Sequence, residues 1–272
     1  MDYNLFGDIM KKEFTSYDLK RIATIMMLVD HLNAAVLYAG IYTRHLDRSY
    51  YDLYNAICTL TRMSYLLFIF LQIEALKYTH NRRFYLFRLV LFGFISQVPF
   101  NMLFSKGAIY GNYNWTWSYL FSFGSLNIFF SLALSFLCIW CMDEIFKKTD
   151  SFIGYIASFL ITVMGCFIGY YLHVDYNWGG ILATCMAYLV SRKSSKEMET
   201  VIITFALGIW QFIRGECKMT WFAFIEFGAI LGLIPISMYN GKPGKKGNKL
   251  FFYFFYPVHL FLLALLSKYL YG

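Results

Sequence analysis

Charge is scarce in this chain. Only 15% of its 272 residues are Asp, Glu, Lys or Arg, against about 25% in an ordinary soluble domain. Proline is nearly missing, at four residues, and 19 scattered glycines do not make a low-complexity chain. Several catalytic signatures do not occur. There is no H-E-x-x-H, no G-x-S-x-G, no G-x-x-x-x-G-K-[ST] and no carboxylate pair in a glycosidase-like arrangement, which argues against zinc proteases, serine-elbow hydrolases, Walker-loop ATPases and glycosidases. The N-terminus lacks the basic n-region of a cleaved signal peptide, having Asp2 and Asp8 there instead, and no small-residue cleavage site follows. Cysteine gives no metal framework either. Cys138-x-x-Cys141 sits mid-run with no second pair, and Cys58, Cys166, Cys185 and Cys217 are scattered, so no metal is expected.

Apolar residues fill the space that charge leaves, at 59% hydrophobic and 21% aromatic. They gather in runs of about twenty, the length that spans a ~30 Å hydrocarbon core. The runs are Leu19–Ala39, Leu53–Tyr78, Phe84–Phe104, Ser125–Met142, Ser151–Leu172, Gly179–Ser191, Thr200–Ile213, Thr220–Tyr239 and Leu250–Leu270. Lipid offers backbone groups no partners, so each run must be helical. The expected fold is an all-α, polytopic transmembrane bundle of about nine spans. The sixth and seventh runs are short, and eight spans is the alternative if one of them is re-entrant.

Lysine and arginine set the orientation. Alternate connections hold about 16 basic residues on one side and about 6 on the other, which puts the N-terminus in the cytoplasm by the positive-inside rule. The net charge of +8 is mostly this asymmetry, and no basic, base-stacking surface points to nucleic acid. Residues 1–18 read as a separate cytoplasmic segment. Leu5, Phe6, Ile9, Met10 and Phe14 recur at helical spacing with Lys11 and Lys12 between them, as in an interfacial helix. Ser16 is the expected N-cap of the first span, and residues 19–272 form one membrane domain.

Ionisable groups inside spans are costly and mark a site or pathway by default. Asp30 and His31 fall near the middle of the first span, His31 ~18 Å along it at 1.5 Å per residue. His259 lies ~14 Å into the last span, and Arg62 is at similar depth in the second. Asp30 is placed to orient the imidazole, or to pair with another helix, since adjacent helical residues diverge by ~100°. An Arg62–Asp30 pair that only ties helices together fits the same pattern. A second constellation is cytoplasmic. Lys77, His80, Arg82, Arg83 and Arg88 crowd the second connection, and the last cytoplasmic loop runs from Asn240, Gly241 and Lys242 through Lys245 to Lys249. Glycines let backbone amides approach an anion while lysines supply charge; a bare positive-inside anchor has the same composition.

With these residues in view, the sequence resembles the TraX family, membrane proteins named for acetylation of conjugative pilin. The stretches that carry the resemblance begin with Met27-Leu-Val-Asp-His31, Arg62-Met-Ser-Tyr-Leu-Leu-Phe-Ile-Phe70 and Tyr85-Leu-Phe-Arg-Leu89. Phe94-Ile-Ser-Gln-Val-Pro-Phe100, Asn127-Ile-Phe-Phe-Ser-Leu132 and Asp175-Tyr-Asn-Trp-Gly179 follow. Tyr239-Asn-Gly-Lys-Pro-Gly244 and Phe252-Tyr-Phe-Phe-Tyr-Pro-Val-His-Leu260 close the ordered series. One departure is Leu66, where the family usually has a proline four residues after the arginine. The first-span pattern is also similar to the wider class of multi-span acyltransferases with a buried histidine.

The resemblance implies an acetyl-CoA-dependent acyltransferase in a bacterial cytoplasmic membrane. Arg82, Arg83, Arg88, Lys242 and Lys245 of the cytoplasmic face, with Asn240 and Gly241 beside them, would hold the CoA phosphates. His31 would be the general base or an acylated intermediate, oriented by Asp30. Arg62 or a helix dipole would stabilise the oxyanion, and His259 would be a second proton-transfer group or a structural donor. Asp175, in an outer loop, would recognise a cationic amine. A midplane site lets the donor enter from inside and the acceptor from outside. The acceptor is then an exported peptide's N-terminal amine, ahead of a glycan or lipid. The alternatives are a proton-coupled secondary transporter, which the midplane Asp, His and Arg also suit, and a structural scaffold.

Overall fold

The computed structural model describes residues 13–45, 47–104, 113, 115–149, 151–244 and 249–272. Among the described residues the chain is helix and turn, without strands apart from two isolated bridges, Phe14 with Tyr239 and Leu126 with Val174. The interfacial helix expected in residues 1–18 lies mostly outside the described residues, as does Lys245. Phe14 is described, and it is tied to the last cytoplasmic-type loop. Its N–H donates to Met238 at 3.0 Å and its carbonyl accepts from Asn240 at 2.8 Å.

The first helix, α1 (Ser16–Asn33), starts one residue earlier than expected. Thr15, not Ser16, is the N-cap, because only Thr15 has an acid three residues on. Thr15 and Asp18 form a reciprocal capping box, and the Ser16 hydroxyl donates instead to the Pro243 carbonyl at 3.0 Å. A π-helical turn, Ala34–Tyr38, interrupts the helix before it continues as α2 (Ala39–Arg44). Then come α3 (Arg48–Thr61), α4 (Met63–Tyr78), α5 (Arg82–Phe104), the short α6 (Trp117–Leu120), α7 (Ile128–Phe146), α8 (Phe152–Tyr171), α9 (Asn177–Ser191) and α10 (Lys196–Arg214). The next segment has three parts, α11 (Trp221–Phe224), a 3₁₀ stretch (Ile225–Gly232) and α12 (Leu233–Ser237). The last helix is α13 (Lys249–Tyr271).

Six helical stretches among the described residues are long and apolar enough to cross a membrane: Ser16–Arg44, Ser49–Tyr78, Arg82–Phe104, Ile128–Phe146, Phe152–Tyr171 and Leu250–Tyr271. The chain is therefore a multi-pass membrane protein. Three of the nine expected runs form the shorter or more polar helices α9, α10 and Trp221–Ser237. The outer face of α8 shows what surrounds the bundle. Phe152, Ile153, Phe159 and Phe167 are each more than 60% exposed, an apolar surface that water would not tolerate and acyl chains cover. Its other face is a stripe of small residues, Gly154, Ser158, Thr162, Gly165 and Gly169, all buried, which lets neighbouring backbones come close.

At the centre stands α4, with ten of its 16 residues buried. Lipid is as apolar as leucine, so packing and hydrogen bonds rather than water exclusion hold the helices together. Ser64 donates to the Ala23 carbonyl at 2.8 Å, and Gln72 to the Leu132 carbonyl at 2.7 Å, pinning α4 to α1 and α7. Helix ends gather at two poles. At one, Arg82 bridges Asp143 at 2.7 Å and Glu144 at 3.0 Å, Tyr239 donates to Glu74, and Lys196 donates to the Tyr239 carbonyl. At the other, Asn101 donates to the carbonyls of Leu120 and Ser122, and Arg44 reaches the Leu270 carbonyl.

Candidate active site

Asp30 and His31 are neighbours on α1, and the helical turn sends them to different partners. His31 faces α13. Its Nδ1 is 2.7 Å from Nε2 of His259, with the two rings 5.0 Å apart and nearly parallel. Nδ1 of His259 lies 2.7 Å from the Phe255 carbonyl, one helical turn earlier. A carbonyl can only accept, so with both rings neutral His259 carries its proton on Nδ1. Its Nε2 then has the lone pair and accepts from Nδ1–H of His31. This leaves Nε2 of His31 with a lone pair, the form that takes up a proton or attacks a carbonyl carbon. The hydrogen-bond chain thus sets one tautomer from a backbone carbonyl through two imidazoles.

Asp30 serves a different network. Its Oδ1 accepts from Nη2 of Arg62 at 2.6 Å and from the Thr61 hydroxyl at 2.6 Å. The contact that orients His31 comes from His259, and Asp30 instead holds the arginine. Arg62 stands at the junction of α3 and α4, where the helix breaks for one residue without a proline. Its Nη1 also donates to the Tyr176 hydroxyl at 3.0 Å and to Glu226 at 3.3 Å, and its Nε to the Cys58 carbonyl at 3.1 Å. A guanidinium has five N–H groups, and these four contacts occupy most of them. Arg62 is therefore a hub that joins α1, α3, the 3₁₀ stretch and the 172–176 connection, with little capacity left for a developing oxyanion.

Irregular backbone surrounds the hub. The π-turn of α1 follows His31 within one turn, and the 3₁₀ stretch carries Glu226; such interruptions concentrate at functional sites. His173, Tyr176 and Asn177 have φ of 48°, 56° and 46°, left-handed values that each cost on the order of 1–3 kcal/mol for non-glycine residues. The Tyr176–Arg62 hydrogen bond and the Ser131 hydroxyl, which donates to the Asp175 carbonyl, help to hold that strained turn.

His31, Asp30, Arg62, Asp175 and Tyr176 all line one cavity of about 360 Å³, with Met27, Phe68 and Tyr256 among its other walls. Tyr65 lines it too. That ring is 3% exposed and stacks on Tyr176 with centroids 3.8 Å apart. Its hydroxyl has no hydrogen-bond partner among the described residues, a buried polar group that costs about 1–3 kcal/mol when left unmet. The structure thus draws together His31, His259, Asp30, Arg62 and Asp175 from four separate parts of the chain. It adds Thr61, Tyr65, Tyr176 and Glu226, which are absent from the sequence-based expectations. Glu226 carried a usable signal, being one acid in an apolar run; the tyrosines did not.

The cytoplasmic-type cluster is only partly free. Arg82 is taken up by Asp143 and Glu144, and Lys77 by Glu74. Arg83 and Lys242 are exposed. Arg88 lies over the Phe84 and Tyr253 rings, and its Nε is buried without a hydrogen-bond partner among the described residues. In the Asn240–Gly244 loop, Gly241 and Gly244 adopt φ of 76° and 78°. Gly244 packs against Thr15 and Tyr17, and Tyr17 meets Phe252 next to Tyr253. The loop and Arg88 therefore flank the same ends of α1 and α13.

A family model described as TraX protein matches residues 16–267, nearly the whole chain. No curated protein and no solved structure matches it.

Proposed function

This chain belongs to the TraX family, and we propose that it is a membrane-embedded acyltransferase moving an acetyl group from cytoplasmic acetyl-CoA to an acceptor at the outer face. The observation that carries this reading is the relay from the Phe255 carbonyl through His259 to His31. It leaves Nε2 of His31 with its lone pair, on a residue that lines a cavity between the helices. In the proposed topology the chain crosses a bacterial cytoplasmic membrane about nine times, with its N-terminus inside. Its exposed Arg83 and Lys242, with Arg88, Asn240 and Gly241, meet the CoA phosphates. Arg82 stays a structural ion pair, and Lys245 extends the same loop.

The chemistry then follows from the site. The pantetheine arm reaches the cavity between the helices and brings the thioester to His31. Nε2 of His31 accepts the proton of the acceptor amine or hydroxyl as that group attacks the carbonyl carbon. Collapse of the tetrahedral intermediate breaks the C–S bond, and the proton passes to the CoA thiolate. The Asp30–Arg62–Glu226 network holds α1 and the turn at Tyr176 in place around this cavity. Calorimetry on the purified protein tests the reading. CoA binds, His31→Ala leaves that binding within about twofold while transfer is lost, and absence of any CoA or acetyl-CoA binding would overturn it. A proton-coupled transporter draws on the buried Asp30–Arg62–Glu226 cluster instead. It predicts solute movement that follows a pH gradient with no turnover of acetyl-CoA.

A further inference from the structure

A second cavity, of about 410 Å³, lies where α8 ends, α9 begins and α10 ends, the pole away from the Arg82 cluster. It shares Ser125, Asp175 and Tyr176 with the cavity that holds His31, so the two adjoin across the strained 173–177 turn. Its walls differ in kind from a passage for acyl chains. The rings of Tyr170, Trp178 and Trp210 alternate with His173, Asn177 and Arg214.

The charges narrow the choice of ligand. Asp175 and Arg214 bring one negative and one positive group, so the chamber has no net formal charge to select a simple cation or anion. An aromatic cage for an amine needs several ring faces open to a cation, yet the Arg214 guanidinium lies 5.5 Å over the Trp210 ring and adds a like charge that disfavours an ammonium group. A neutral ligand with many hydroxyls suits what is there. The C–H faces of a sugar ring lie flat on an indole, while its hydroxyls pair with carboxylate, amide and guanidinium groups, all planar and able to bond in twos.

We propose that this chamber is the acceptor site and that its ligand is a saccharide presented at the outer face. The inference rests on His31 as the transfer centre and names the acceptor for it. A sugar hydroxyl held beside Asp175 and Tyr176 stands where the two cavities meet. Its oxygen attacks the thioester carbonyl, its proton goes to Nε2 of His31 and then to the departing thiolate, and a sugar acetyl ester and CoA are the products. The sequence-based preference for a peptide amine becomes the competing outcome.

Protein in lipid nanodiscs tests this by tryptophan fluorescence, titrated with neutral trisaccharides of glucose, galactose, mannose and N-acetylglucosamine, and with trialanine. At least one trisaccharide is expected to change the emission saturably, and trialanine to leave it unchanged. Trp178→Ala is expected to weaken saccharide binding at least about tenfold, the loss of one stacking contact. Arg214→Gln, at an exposed position, is expected to weaken it as well and guards against misfolding of the first variant. After addition of acetyl-CoA, mass spectrometry should find the bound sugar acetylated by the wild type and not by His31→Ala, which still binds it. Binding of no trisaccharide, or binding and acetylation of trialanine alone, would overturn the proposal. Saccharide binding with no acetylation would leave the chamber as a saccharide site, overturn its role as acceptor site and count against the transferase reading.

Discussion

At the scale of single residues, the site separates two tasks that the sequence places side by side. His31 and Asp30 are consecutive, yet one enters a proton relay and the other an ion-pair hub. His31→Ala is expected to lower kcat by about 10²–10⁴, the usual contribution of a general base, without altering CoA affinity. His259→Ala leaves the His31 ring but removes the acceptor that fixes its tautomer. A smaller fall in kcat, about 10–10², is expected, with KM nearly constant because the contact to His31 matters in the transition state. Tyr65→Phe removes a hydroxyl that bonds to nothing among the described residues. The variant should melt no lower than the wild type and keep its turnover, because the hydroxyl is sealed against Gly180 and does not open on the cavity. A fall in kcat of about 10²-fold in Tyr65→Phe would instead mark that hydroxyl as a donor to the oxyanion.

At the scale of the helices, stability and geometry depend on Arg62. Its partners lie on α1, the 172–176 connection and the 3₁₀ stretch, and side-chain exposure of the Arg62–Asp30 pair is 16% and 24%. Removing one partner of such a partly buried pair costs up to about 3–5 kcal/mol, because the other charge is stranded. Arg62→Ala is expected to lower the melting temperature in detergent strongly, more than His31→Ala does. Gly228 offers a test at a distance. A Cβ there would sit 2.0 Å from the Thr59 backbone oxygen, so Gly228→Ala must push the 3₁₀ stretch off α3. About 1–3 kcal/mol of stability should be lost, together with the Glu226–Arg62 contact. Much of this architecture is legible in the sequence, because the membrane makes ionisable residues conspicuous. Asp30, His31, Arg62 and His259 stand out in apolar runs, and Glu226 gives the same signal. Tyr65 and Tyr176 do not, being two among 23 tyrosines whose roles come from tertiary placement. The π-turn is equally silent, since Ala34-Ala-Val-Leu-Tyr38 reads as ordinary apolar helix. Arg82 reads as an anion contact in the sequence and is an ion pair in the fold, because Asp143 and Glu144 are 61 and 62 positions away.

At the scale of the whole molecule, the poles differ as the proposed two-sided transfer requires. The Arg82 cluster, the Asn240–Gly244 loop and Arg88 gather at one, and the aromatic chamber opens at the other. In the proposed topology a cysteine placed at Lys242 is labelled by a membrane-impermeant reagent only from the cytoplasmic side. One placed at His173, in the outer turn, is labelled only from outside; the reverse pattern would undo the assignment of donor and acceptor faces. The depth of His31 gives the arrangement its purpose. In the proposed topology His31 lies ~18 Å along its span, a depth where polar groups are expensive and from which a histidine serving cytoplasmic acceptors alone would gain nothing. Sealed inverted vesicles test this central claim most directly. Radiolabelled acetyl-CoA is supplied outside, facing the cytoplasmic pole, and the acceptor is enclosed in the lumen. Labelled acceptor should accumulate in the lumen, with none formed by His31→Ala. Label appearing only on acceptor that shares the outside medium with acetyl-CoA would contradict transfer across the membrane.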